Sequence, residues 1–197
     1  FLNFRIDQIL MGLLATEAAL GIYAVAVNAS EVLLYLPAAT ATALLTISCT
    51  GSIGRCGADL PNLPVTGTYG IVVRPAAAAT GSFGVTLSTD LTGTMTIGAA
   101  RTVNLDRPGR NARLTFAGTA GQTLRLSWSG VAIPGTTSKA IAYVYSPSGS
   151  MLGSASLAHG GAGAYDVPAL PTPGSYTLFV DPPVGATMSA TLTLAPR

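Results

Sequence analysis

The strongest constraint on this chain is that part of it occurs twice. Asp166 to Leu194, DVPALPTPGSYTLFVDPPVGATMSATLTL, reads onto Asp59 to Leu87, DLPNLPVTGTYGIVVRPAAAATGSFGVTL, without a gap at a displacement of 107 positions. Pro61 meets Pro168, Leu63 meets Leu170 and Pro64 meets Pro171, while Gly67, Tyr69, Val73 and Pro75 meet Gly174, Tyr176, Val180 and Pro182. A period of that length is a small domain rather than a solenoid unit, large enough to hold a core of its own. The 197 residues divide naturally into two such domains. The expectation is a first repeat over residues 1–88, divergent in its N-terminal part, and a second over 89–197.

The repeated unit reads as β-structure. Leu-Pro followed by Thr-Gly or Pro-Gly is a turn in which Gly supplies backbone freedom and Pro removes a ladder donor, so a strand begins after it. That strand is Tyr69 to Val73 in one copy and Tyr176 to Val180 in the other, with Tyr69 and Tyr176 expected as buried equivalents beneath turns built on Pro64, Gly67, Pro171 and Gly174. Pro75 and Pro182-Pro183 stop it, and the chain is expected to return as a hairpin in which Thr191 and Thr193 alternate with Leu192 and Leu194. Upstream in the second copy, Ala112, Leu114 and Phe116 alternate with Arg113, Thr115 and Ala117. Leu124, Leu126 and Trp128 alternate likewise with Arg125, Ser127 and Ser129. Period two with glycine-marked turns every ten residues or so predicts an all-β chain of two tandem antiparallel β-sandwich domains, jelly-roll or immunoglobulin-like, joined by the polar stretch STDLTGTMTIG.

The first 27 residues fit this pattern least. Ile6, Ile9, Leu10, Leu13 and Leu14 follow a helical spacing, and with Phe1 and Phe4 they make the apolar segment expected to serve assembly. Asp7, Gln8, Gly12, Thr16, Glu17 and Gly21 interrupt it, and two carboxylates in a bilayer core would cost about 2.5 kcal/mol or more apiece, so no membrane span is expected. The alternative to an apolar helix is a set of strands: Tyr23 to Val27 can be laid on Leu124 to Trp128, and Leu33 to Pro37 on Tyr143 to Pro147. The chain would then begin inside a domain.

Only 9% of residues are charged and 49% are hydrophobic, which excludes a disordered chain and suits a secreted or assembled protein whose surface meets copies of itself. A net charge of +2 does not support nucleic-acid binding. Arg101, Arg107, Arg110 and Arg113 cluster in sequence, but no aromatics interleave with them, so they read as solvated strand and loop positions. Cys49 and Cys56 lie seven apart, a spacing that in an exported protein suits a short disulfide closing a loop tip; the alternative is two free thiols in a reducing compartment. No third or fourth soft ligand lies nearby for a metal.

The order PGRNARLTFAGTAGQTLRLSWSGV, YSPSGSML, LPTPGSYTLFVDP resembles the β-sandwich repeats of large secreted and cell-surface bacterial proteins related to pre-peptidase C-terminal domains. The resemblance covers Asp59 to Leu194 well and the first 58 residues poorly. It implies an extracellular spacer, adhesion or assembly module rather than a chemistry. The initial Phe and apolar run are also similar to mature type IV pilins, although Arg5 stands where that family has Glu.

Catalytic groups are sparse. His159 is the single histidine, in the loop HGGAGAY, and no Gly-x-Ser-x-Gly elbow accompanies it. The eight acids are scattered; Asp59 and Asp166 precede the repeat turns and are expected to accept turn N–H bonds, while a calcium site on Asp166 or Asp181 would lack a DxDxD-like loop. The sequence therefore predicts no enzyme and no cofactor. It predicts a structural extracellular protein, a subunit that self-assembles into a surface fibre, filament or sheath. The alternatives are a carbohydrate- or surface-binding adhesion module, with a glycan as partner, and a pilin-like subunit with an N-terminal packing helix.

Overall fold

The computed structural model describes residues 56–60, 62–73, 82 and 84–197. Apart from Leu60 and Asn62, these belong to one of the two compact units of the chain. Nine strands form in the order β1 (Leu91–Thr94), β2 (Ala100–Leu105), β3 (Ala112–Gly118), β4 (Leu124–Ala132), β5 (Ala140–Tyr145), β6 (Met151–Leu157), β7 (Gly163–Val167), β8 (Gly174–Asp181) and β9 (Met188–Pro196), with no helix among the described residues. They build a five-stranded sheet of order β1-β3-β8-β5-β6 and a four-stranded sheet of order β2-β9-β4-β7. Every pairing is antiparallel except that of β1 with β3.

Alternation decides which side chains enter the core. In β3, Ala112, Leu114 and Phe116 are buried while Arg113 and Ala117 are exposed; in β9, Met188, Ala190, Leu192 and Leu194 are buried between Ser189, Thr191 and Thr193. Leu105, Leu124, Leu126, Val144 and Leu178 join them in a single cluster. Each fully buried Leu adds about 1.5–3 kcal/mol relative to an exposed one, so this cluster supplies the main driving force for closing the two sheets on each other. Trp128, expected in the core, packs partly buried against its edge, over Gly163, where a Cβ would come within 2.6 Å of the indole.

Two expectations about local connectivity do not hold. β8 and β9 are not a hairpin: β8 pairs with β3 and β5, whereas β9 pairs with β2 and β4 in the other sheet. Pro182 and Pro183 explain the crossing, because neither can donate to a ladder and the pair forces the chain out of one sheet before it can turn back beside itself. The polar stretch expected as a junction contains β1, which lies parallel to β3, with Leu91 N donating to Asn111 O at 2.7 Å and Met95 N to Thr115 O at 2.7 Å. A parallel neighbour cannot come from a two-residue turn, so the chain passes from β1 through β2 in the opposite sheet before β3 is laid down.

Candidate functional site

The repeat turn is the natural starting point, since both copies fall within the described residues. Tyr176 enters β8 fully buried, stacked on its cross-strand partner Phe116 with ring centroids 5.5 Å apart. Its hydroxyl donates to Thr172 O at 2.5 Å and accepts from Thr172 N at 3.3 Å. Tyr69 makes the same pair of bonds four residues back, donating to Val65 O at 2.6 Å and accepting from Val65 N at 3.3 Å. Val65 and Thr172 are themselves matched by the repeat displacement. The surroundings differ. Tyr69 was expected to be buried and is 40% exposed, and Tyr69 to Val73, expected as a strand, joins no ladder among the described residues. Gly174 takes a positive φ of 150° and leaves room for Pro147, whose Cγ would lie 2.7 Å from an added Cβ; at Gly67 an added Cβ would meet nothing within 4 Å.

Beyond Tyr69 the chain presents apolar side chains to solvent. Ile71, Val72 and Val73 are 65%, 77% and 47% exposed, and Leu63, Val65, Val85 and Leu87 are exposed as well. Their repeat counterparts Leu178, Phe179, Val180, Leu192 and Leu194, matching Ile71, Val72, Val73, Val85 and Leu87, are all buried. Monomeric soluble proteins seldom leave a contiguous apolar stretch of this kind uncovered.

A second feature lies on the outer face of the five-stranded sheet. The pairing registers align Thr92, Arg113, Phe179, Tyr143 and Ser154 in one transverse row. The Arg113 guanidinium sits 4.6 Å over the Phe179 ring and its Nε donates to Asp90 Oδ2 at 3.1 Å. Tyr143 lies 6.3 Å from Phe179 and 6.2 Å from Tyr145. Tyr143 and Tyr145 share a face, as their spacing implied, and it points away from the core because Ala142 and Val144 fill the inner one.

At one end of this face, buried Asn111 donates from Nδ2 to Asp59 Oδ1 at 2.6 Å. Asp181, at the end of β8, is half-buried; burial first, and then the nearby carboxylates of Asp59 and Asp90, push its carboxyl up to about 6. Among the described residues neither repeat-equivalent aspartate takes the local role expected of it. Asp59 holds Asn111, and Asp166 pairs across β7 and β4 with Arg125, through bonds of 2.6 Å and 3.1 Å, with Arg197 at 3.4 Å. The hydrogen bond and charge of Arg125, aided by Arg197, hold the Asp166 carboxyl below the usual carboxylate range. The clustered arginines disperse in space: Arg101 donates to Thr94 O at 2.7 Å, Arg110 pairs with Asp106 at 2.8 Å, and Arg113 belongs to the aromatic row.

His159 is a structural staple, its Nδ1 accepting from Ile133 N at 2.8 Å, which places any proton of the neutral ring on Nε2. Cys56 is disulfide-bonded, and Cys49 lies outside the described residues. So do the assembly candidates Phe1, Phe4, Ile6, Ile9, Leu10, Leu13 and Leu14. Among the described residues no three His, Cys, Asp or Glu side chains are placed to hold a metal ion, and no helix is long and apolar enough to cross a membrane.

No family model and no curated protein matches this chain. Among solved structures, the chain is similar to the pre-peptidase C-terminal domain of a collagenase from Bacillus anthracis, at 12% identity and a TM-score of 0.39, over 53% of this chain and 95% of that one. It is also similar to a periplasmic inhibitor of g-type lysozyme from Aeromonas hydrophila, at 18% identity and a TM-score of 0.33, over 53% of this chain and 98% of that one.

Proposed function

We propose that this chain is a structural extracellular protein, a tandem β-sandwich subunit that associates with copies of itself into a surface fibre or sheath. One observation carries the reading: Ile71, Val72 and Val73 form a strand-prone run that lies in no ladder among the described residues and is exposed, while the matching residues of β8 are buried between partners. A run of this kind gains both backbone pairing and apolar burial by adding to another chain. A head-to-tail contact between non-identical surfaces whose rotation does not close extends into a filament. The apolar positions from Phe1 to Leu14 are a second contributor in this reading, and deleting residues 1–20 should weaken assembly. Electron microscopy of the full chain tests the proposal. Filaments are expected, and dispersed single particles at high concentration would overturn it.

A second reading is favoured by a different observation, the half-buried pair Tyr143 and Tyr145 on the outer face of β5, with Ser154 opposite Tyr143 and buried Phe179 beneath Arg113 beside it. Aromatic faces beside polar groups suit a glycan. Binding on an immobilised glycan panel that disappears in Tyr143→Ala and Tyr145→Ala would support this reading; a panel with no binding by the full chain would remove it.

A further inference from the structure

A sheet edge recruits another strand unless a charge, a proline, a bulge or short length blunts it. The two sheets end in four edge strands, β1 and β6 in the larger sheet and β2 and β7 in the smaller. Three of these edges hold a charge. At β1, four residues long, the Arg101 guanidinium donates to Thr94 O at 2.7 Å and stands where a Cβ on Gly93 would be. β2 carries Arg101 itself, and β7 carries Asp166, ion-paired with Arg125 and Arg197.

β6 is the exception. Its sequence, MLGSASL, has neither a charge nor a proline, and among the described residues it pairs with β5 alone. The register shift beside Tyr145 falls at its start, so Gly153 to Leu157 run in regular register with Val144 to Ala140. Met151, Ser154 and Ser156 are exposed, opposite Tyr145, Tyr143 and Ile141 on the outer face.

Tyr69 to Val73 matches what this edge lacks. The run is as long as the regular part of β6 and equally free of charge, so pairing the two strips no ion of its water. Its repeat counterpart, β8, already belongs to a five-stranded sheet of this kind and pairs there antiparallel with β5. Within one chain the two do not meet: the run lies in no ladder among the described residues, and no described strand takes the far side of β6. A second copy brings them together. Resting on the self-association proposed above, we propose that β6 is its acceptor edge, so that Tyr69 to Val73 of one copy adds to Met151–Leu157 of the next and extends the five-stranded sheet by one strand. The small side chains of Ser154 and Ser156 then flank the added strand, where a lysine would have to be dehydrated or turned aside.

Cross-linking in the assembled state tests the acceptor. Full chain carrying benzoylphenylalanine in place of Val72 is mixed with isotope-labelled unmodified chain at a concentration where larger species form, irradiated and mapped by mass spectrometry; the cross-link should fall on a labelled peptide spanning residues 151–157. Ser154→Lys combined with Ser156→Lys should raise the concentration at which larger species appear by roughly tenfold or more. Thr102→Lys combined with Asn104→Lys, exposed positions that add the same charge at the β2 edge, should leave that concentration unchanged. Cross-links to β1, β2 or β7 of the labelled chain, cross-links confined to one chain, or equal effects of the two lysine pairs would each overturn the assignment to β6 while larger species still form, and the cross-link serves if the β6 variant does not fold. A chain that forms no larger species would overturn the self-association reading itself, and the acceptor edge with it.

Discussion

The turns at Tyr69 and Tyr176 make the same two hydrogen bonds to a residue four back, yet one tyrosine is 40% exposed and the other fully buried. The difference separates two things that a sequence repeat usually delivers together. The latch is local, because the phenol reaches only to Val65 or Thr172, and a few residues carrying Pro and Gly at fixed offsets suffice to make it. Burial is not local. It comes to Tyr176 from Phe116 on β3 and from the pairing of β8 with β3 and β5 on its two sides, and the described surroundings of Tyr69 supply no such strands.

The largest expected contrast lies just beyond the two latches. Leu178→Ala should cost about 2–5 kcal/mol, as for other large-to-small changes in a closed core, whereas Ile71→Ala should stay within about 0.5 kcal/mol. Urea denaturation of dilute full-length chain measures both, and an Ile71→Ala penalty as large as that of Leu178→Ala would mean that the exposed run is covered within a single chain. The glycines give an intermediate contrast. Gly174→Ala forces a side chain onto a positive φ and against Pro147, at a cost of about 1–3 kcal/mol, while Gly67→Ala has open space and should change stability by less than about 0.5 kcal/mol. Smallest is the latch itself. Tyr176→Phe should cost about 1 kcal/mol through the bonds lost to Thr172, and Tyr69→Phe less than about half of that. Equal losses would show that the Tyr69 turn is as enclosed as its counterpart.

How much of this was legible in the sequence depends on the range of the interactions concerned. The alternation in Ala112 to Ala117 and Leu124 to Trp128 gave the strands and their inward faces correctly, because a strand's period is set by its own backbone. The hydroxyl bonds of Tyr69 and Tyr176, each to a residue four back, are local in the same sense. Sheet membership was beyond it: Ser189 to Leu194 was expected to fold back on Tyr176 to Val180, and only the competition among β2, β3, β4 and β5 for the two segments decides that they part company. Likewise β1 hides in a polar stretch because a parallel edge strand of four residues needs little apolar content. The outer row was half legible. Tyr143 and Tyr145 announce a shared face, but Phe179 sits in a strand that reads as apolar on both sides, and Arg113 reaches it only through the β3–β8 register. Nothing in the order of residues brings Asp59 to Asn111, whose bond spans 52 positions.

In the proposed assembly the run from Ile71 to Val73 is taken up by another chain. Sedimentation velocity of the full chain over a rising concentration series, beside the double variant Ile71→Ser, Val73→Ser, tests this uptake. The wild-type chain should shift progressively to larger species while the variant, equally stable to urea, should remain a monomer. A wild-type chain that sediments as a monomer throughout, or a variant that assembles just as readily, would contradict it.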